Sequence, residues 1–425
     1  MSALTPSILP RAACPDPVFP AAMAGGLLAA ATPAEPESTT TTTISSLGKD
    51  LLLDIFLRLP NLPALVRAAL ACRTWLGAVR SSPSFRRLFR ALHPAPLLGI
   101  FLETDGICIP TFVPVRRFDP DVAVSLRRGD FFLTSLPAEG DASRGWLLDD
   151  CRGGRALLWN ALHGSLAALN PMTWAVDSLP MPPVDFMAET RNFLGFHLLY
   201  SDEKPSSFRV VCICADASRV RAAVFSSETW DWAINPWVEI GGNNSLKCKT
   251  STLVGDSVYW PCHGEAHMIR IDATTMDVTT VDLPSQAKVE WHNCKAGETK
   301  DGGLCIAHVS ADFLLQVWTH SVDGDGILSW IPHKAISLGA QVDRITEGFQ
   351  GDLKVVQVRD GTAYLSRTMM TPSGLLCCWF FSLCLETMEL DLLIQGRYDG
   401  RGYPYIMAWP PSLVGDEAPE LEGSE

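Results

Sequence analysis

The chain has 425 residues, more than one average domain and enough for two or three. Hydrophobic residues make up 47% and charged residues 19%, which excludes a mainly disordered chain and allows a large core. A net charge of −13 excludes nucleic-acid binding through bulk positive charge. No apolar run reaches the roughly 18 residues of a membrane helix; the longest, Gly374 to Leu385, stops at Glu386 and reads as a buried strand or strand pair. The 13 cysteines lack the regular spacing of a disulfide framework. They read as reduced, partly buried thiols of a cytoplasmic or nuclear protein. Ala21 to Ala31 has the look of a secretory apolar stretch, but only Arg11 precedes it and Pro15, Pro17 and Pro20 crowd the approach.

Residues 1–44 are rich in Pro, Ala and Thr and carry no period, so a disordered N-terminus is expected. Helical signals follow. Ser46 is a candidate N-cap and Asp50 falls in the first turn. Leu51, Ile55 and Leu59 recur at i, i+4, i+8 and make a stripe, widened by Leu52, Leu53 and Phe56. Pro60 ends this helix by removing a donor. A second helix is predicted from Pro63 to Leu70 and a third from Arg73 to Arg80, carrying Trp75. Ser81-Ser82-Pro83 breaks it, and Ser84 can cap a last turn with Phe85, Leu88 and Phe89. These helices are apolar on more sides than a bundle under 50 residues can bury by itself. The excess surface fits either a helical partner or the domain that follows.

Residues 95–412 lack helical periodicity. Short apolar runs such as Phe208 to Cys214, Arg221 to Ser226, Ser257 to Trp260 and Phe313 to Thr319 alternate with turn chemistry such as Asn170-Pro171 and Gly241-Gly242-Asn243. A cadence of strand, polar turn and bulky residue ends at Thr173-Trp174, Thr229-Trp230, Thr275-Met276 and Thr387-Met388. The gaps are 56, 46 and 112 residues, with a weaker copy at Ile327 to Trp330 inside the double gap. One hairpin per roughly 50 residues leaves room for a four-stranded unit in each, the pattern of a β-propeller of about six blades. Most tryptophans are expected in the blade core, with loop residues such as Trp237 or Trp291 free for recognition. Residues 413–425 read as an acidic, disordered tail.

Chemistry is sparse. Cys262-His263-x-x-x-His267, with His292 and Cys294, lacks two well-separated ligand pairs, so no metal site is expected. Asp323-Gly324-Asp325-Gly326 lacks the closing Glu of a calcium loop. No phosphate-cradling glycine loop and no nucleophile elbow occurs, so no cofactor and no catalytic residue is expected.

The stretch Leu47-Gly48-Lys49-Asp50-Leu51-Leu52-Leu53-Asp54-Ile55-Phe56-Leu57-Arg58-Leu59-Pro60, then Leu65-Val66, Ala71-Cys72-Arg73-Thr74-Trp75 and Phe85, resembles an F-box. It departs from the family pattern at Gly48, usually Pro, and at Ala71, usually Val. The region after it resembles the associated domain of grass F-box proteins, which is similar to kelch-like propellers. Matching stretches are Gly153 to Trp159, Phe208 to Ile240, Cys384 to Leu390 and Pro404 to Ser412. The fold class implied is an α+β multidomain chain: a three-helix F-box over 45–93, then an all-β propeller over 95–412. The resemblance implies the substrate-recognition subunit of an SCF-type cullin–RING ubiquitin ligase in plants. Such a subunit is not itself an enzyme. It docks on a Skp-type adaptor, through it on a cullin, and holds a protein substrate, with no nucleic acid and no membrane as partner. Leu47, Leu51, Ile55, Leu59, Pro60, Leu65, Val66 and Trp75 match the family's motif positions, and the resemblance assigns them to the adaptor face and the small core beneath it. Residues 47–93 hold eight bases and two acids, a net +6, leaving −19 for the rest of the chain. Skp-type adaptors are acidic as a family, so a basic module would complement them. The alternatives are an interaction scaffold whose F-box serves no ligase, and an enzyme built on the β domain.

Overall fold

A computed structural model describes residues 47–103, 109–115, 120–137, 145–160, 162–188, 192–216, 218–239, 252–261, 267–285, 294–322, 328–348, 351–370, 376–396 and 402–415. Residues 1–46 and 416–425 lie outside them, and with them the N-terminus expected as disordered over 1–44, Ser46 and all but the first three residues of the tail expected over 413–425; Leu413 and Val414 of that tail are described and buried. Residues 48–425 form one compact unit.

Four helices come first: α1 (Lys49–Leu57), α2 (Leu62–Leu70), α3 (Arg73–Arg80) and α4 (Pro83–Leu92). Gly48 starts α1 without a side-chain cap. Asn61 caps α2, its side chain accepting from the Ala64 amide, and proline follows at the position where no N–H is needed. The expected last turn is a full ten-residue helix. Its cap is Ser82, whose Oγ accepts from the Phe85 amide at 3.3 Å; Ser84 is one residue inside the helix, after Pro83.

The strands then follow in chain order: β1 (Leu97–Leu102) and β2 (Thr111–Pro114); β3 (Trp146–Arg152), β4 (Arg155–Asn160), β5 (Ser165–Asn170) and β6 (Ala175–Leu179); β7 (Asn192–Tyr200), β8 (Phe208–Ala215), β9 (Arg219–Ser226), β10 (Asp231–Ile234) and β11 (Val238–Glu239). Next come β12 (Thr252–Val254), β13 (Ser257–Pro261), β14 (His267–Asp272) and β15 (Val278–Asp282), then β16 (Cys294–Glu298), β17 (Leu304–Val309), β18 (Leu314–Val322) and β19 (Leu328–Ser337). The last are β20 (Asp352–Arg359), β21 (Thr362–Met370), β22 (Leu376–Cys384), β23 (Leu390–Gly396) and β24 (Gly402–Ile406). They pair antiparallel into six sheets among the described residues, β2-β1-β24, β3 to β6, β7 to β10 with β11, β12 to β15, β16 to β19 and β20 to β23. These are the six blades of a propeller. The long apolar run near the C-terminus is a single strand, β22, rather than a pair.

The ring closes by sharing a blade between the two chain ends. β24 pairs with β1 from Leu97↔Ile406 to Leu102↔Gly402. Closure hides the edge that an open sheet would offer to other chains. Gly402 is required there, because a Cβ would sit 2.5 Å from the Phe380 ring of the last full blade. Between blades lie dry seams, for instance Leu157, Phe196, Val210 and Phe225 between the second and third, and Val317, Leu353, Trp379 and Phe381 between the fifth and sixth. Each such side chain contributes about 1.5–3 kcal/mol by leaving water.

The repeated cadence is a hairpin turn joining the two outer strands of a blade. Pairs Asn170↔Ala175 and Ser226↔Asp231 close four-residue loops, and the Asp272 and Cys384 amides close the other two on the carbonyls of Asp277 and Glu389. The last loop residue is left-handed each time: φ is 63° at Trp174, 58° at Trp230, 63° at Met276 and 60° at Met388. The leading polar side chain ties the loop, Asn170 Oδ1 accepting from Met172 at 3.1 Å and Asp272 Oδ1 from Thr274 at 2.9 Å. The weaker copy at Trp330 is not this turn. Trp330 lies within β19, and residues 323–327, between β18 and β19, are outside the described residues.

Trp146, Trp232, Trp260, Trp318 and Trp379 are buried among the blades, as expected. Trp174 and Trp230 are half exposed at their turns. Trp237 lies under the guanidinium groups of Arg219 and Arg221, both at 4.6 Å, and Trp291 is outside the described residues.

Candidate functional site

The helices of the first 50 described residues are short, nine, nine, eight and ten residues, so packing rather than propensity must hold them. Their core contains Leu52, Leu53, Phe56, Leu62, Leu65, Ala69, Ala78, Val79, Phe85 and Phe89. Trp409, Leu413 and Val414 from the far end of the chain complete it. Trp409, expected in the blade core, is therefore a helical-core residue.

α1 has two apolar faces. Leu52, Leu53 and Phe56 point inward and are buried. Leu51 and Ile55, one turn apart and hence on one face, are 59% and 42% exposed. The eight motif residues divide accordingly. Leu51, Ile55 and Pro60 are exposed; Leu47, Leu59, Val66 and Trp75 are half-buried. Leu65 is fully buried and is a core residue rather than part of any outer face. Trp75 packs edge-on against Phe56 at 5.8 Å. Three further leucines on these helices, Leu70, Leu88 and Leu92, are exposed. The motif positions do not include them, and a single last turn in place of α4 leaves the four-residue spacing of Leu88 and Leu92 unused.

The module is also clamped to the propeller, so the domain that follows takes up part of the surface the helices cannot bury alone. Arg86, 4% exposed, donates to Glu203 and to the carbonyls of Val79 and Arg80. Arg90 reaches Glu203 at 2.5 Å and lies over the Trp409 ring at 5.2 Å. Arg80 Nε donates to the Ser412 carbonyl at 2.9 Å. Burial alone would raise the Glu203 carboxyl, but hydrogen bonds from Arg86 and Arg90 outweigh it and hold the group below the usual glutamate range. The neighbouring Asp202 goes the other way, raised by burial despite Arg90. Three of the module's eight bases thus face inward. Lys49, Arg58, Arg67, Arg73 and Arg87 remain on the exposed surface beside Asp50 and Asp54.

Between module and ring lies a cavity of about 440 Å³. Arg90 and His93 line it from the helical side, and Arg152, Glu298, Lys300 and Arg359 from the turns joining the two innermost strands of three of the blades. In an antiparallel blade, those turns and the outer-strand turns lie at the same end of the ring. The helices therefore cap one end. Burial first, then the Arg359 charge, lowers the Arg152 guanidinium, while burial and then Asp360 raise Glu298. Charges of both signs offset one another here.

Among the described residues, no group of three or more His, Cys, Asp or Glu gathers in a metal-binding arrangement; Cys262, His263 and His292 lie outside them. No described helix is long and apolar enough to cross a membrane.

A family model described as "F-box protein AT5G49610-like, beta-propeller" matches residues 147–413. The chain belongs to that family. The match begins in the second blade, so the helices are not part of it, although the family's description names F-box proteins. No curated protein matches the chain. Solved structures similar to it include a functionally unknown protein from Desulfotomaculum acetoxidans, at 9% identity over 74% of this chain and 90% of that one, with a TM-score of 0.33. Another is the WD40 domain of SCAP from fission yeast, at 8% identity over 60% and 65%, TM-score 0.30. A third is an oligogalacturonate lyase in complex with manganese, at 8% identity over 60% and 66%, TM-score 0.32. Scores this low carry nothing about function, and the propeller is read from the strand pairing itself.

Proposed function

We propose that this chain is a substrate receptor of an SCF-type cullin–RING ubiquitin ligase, of the plant, grass-type, kelch-like kind. The α1 face of Leu51 and Ile55, with Pro60 and the half-buried Leu47, Leu59, Val66 and Trp75 around it, docks a Skp-type adaptor, and a cullin follows through that adaptor. The propeller holds a protein substrate. The chain carries out no bond chemistry of its own. It raises the substrate's effective concentration beside the transfer machinery. The protein works in the cytoplasm or the nucleus, a setting that suits its nine described free cysteines.

The observation that carries this reading is the split of α1. A nine-residue helix has filled its inner face and still presents Leu51, 59% exposed, and Ile55, 42% exposed, on the outer one. A paired apolar stripe at helical spacing is what a groove-forming helical partner takes up. The five exposed bases of the same module favour an acidic partner. The test is affinity capture of the tagged chain with the proteasome inhibited. A Skp-type adaptor and a cullin should co-purify with the intact chain and disappear with Leu51→Asp/Ile55→Asp. Retention of both by the variant contradicts the assignment.

A further inference from the structure

We infer that the docking module is not confined to the motif segment: Trp409, Leu413 and Val414, from beyond the last blade strand, are positioning residues for adaptor docking, so that only a chain whose ring has closed presents a competent module. This inference rests on the adaptor-docking reading above.

The connection is covalent and short at both ends. α4 ends at Leu92 and β1 begins at Leu97. β24 ends at Ile406, opposite Leu97, and the Met407 amide donates to the Pro96 carbonyl at 3.0 Å. The strand pair that closes the ring therefore runs straight into the helical module on both strands. Beyond it, the Leu413 and Val414 amides donate to the carbonyls of Pro410 and Pro411, at 2.9 and 3.0 Å, folding the segment into a single turn. That turn delivers Trp409, Leu413 and Val414 into the helical core at 4%, 0% and 7% exposure. Trp409 meets Phe89 edge-on at 6.1 Å.

Four helices of ten residues or fewer do not persist without a filled core. Removing three buried side chains leaves α3 and α4, which meet this segment through Arg80, Phe89 and Arg90, facing a void and frees α1 to shift. The apparent adaptor affinity then falls by the fraction of time the module is competent. The Trp409 indole N–H has no partner among the described residues. Its contribution is therefore apolar contact and the Arg90 stack, both of which phenylalanine retains in part.

The test uses the full chain and a purified Skp-type adaptor. Trp409→Ala/Leu413→Ala should weaken the adaptor Kd by about 30-fold or more. It should speed amide exchange in α3 and α4 while blade amides keep their protection. Trp409→Phe alone should stay within about threefold of the intact chain. If the intact chain binds and the double variant binds equally well, the inference falls and the docking reading stands. If blade amides lose protection as much as helical ones, the segment is only general scaffold and the inference is again overturned. An intact chain that ignores the adaptor defeats both.

Discussion

The blades and the helices fill their cores in opposite ways. Apart from the closing blade, where β1 meets β22 and β24, the blade seams are packed by strands close in sequence, such as β4 to β10 around Leu157 and Phe225. The helical core is packed from the two ends of the chain, with Arg80 and Ser412 joined across 332 positions. Blades are repeated and largely self-supplied; the module is single and depends on the ring. The lesson is that a motif read as an independent domain is here half of a composite one.

The sharpest break of that contrast lies in the shared core. Phe89→Ala removes a fully buried ring touching Trp409 and should cost about 3–5 kcal/mol. Urea unfolding followed by amide exchange should register it in the helices before the blades. Uniform loss across both would mean that module and blades are not separable as argued.

The clamp comes next. Glu203→Gln removes the charge that faces Arg86 and Arg90, for an expected loss of about 1–3 kcal/mol. Its pH signature has a definite sign. A carboxyl held below its usual value of 4.5 adds stability that is complete above that value and is lost as pH falls through the lowered one. Thermal melts should therefore show an acid limb that is flatter in the variant. Asp202, shifted upward, contributes with the opposite sign, so the comparison with Glu203→Gln isolates the clamp. Identical acid limbs would remove Glu203 from it.

The smallest effect belongs to the repeat. Met388 is left-handed at φ 60° and 47% exposed. Met388→Gly should be neutral or stabilising by up to about 1 kcal/mol, whereas a β-branched Met388→Ile should destabilise. Equal melting temperatures for the two would mean the turn does not impose that backbone.

How much was legible follows from the same contrast. The blade cadence was legible because a left-handed four-residue turn is local chemistry, set by Asn170, Ser226 or Asp272 and the bulky residue four positions on. It misled at Trp330, where similar letters fall inside a strand. The α1 stripe was legible as apolar, but not the division that buries Leu52 and exposes Leu51. Both are leucines of one helix, and only the packed neighbours separate them. The basic module was legible as charge. That Arg80, Arg86 and Arg90 turn inward was not, because Glu203 and Ser412 lie far along the chain. Trp409 looked like one more blade tryptophan for the same reason.

One measurement tests the central claim most directly: titration of a purified Skp-type adaptor into the full chain and into Leu51→Asp/Ile55→Asp, with melting curves of both. Exposed positions leave stability within about 0.5 kcal/mol, so the two chains should melt together. Docking through α1 requires the variant's affinity to fall by about 100-fold or more. Equal affinity in two equally stable chains would contradict it.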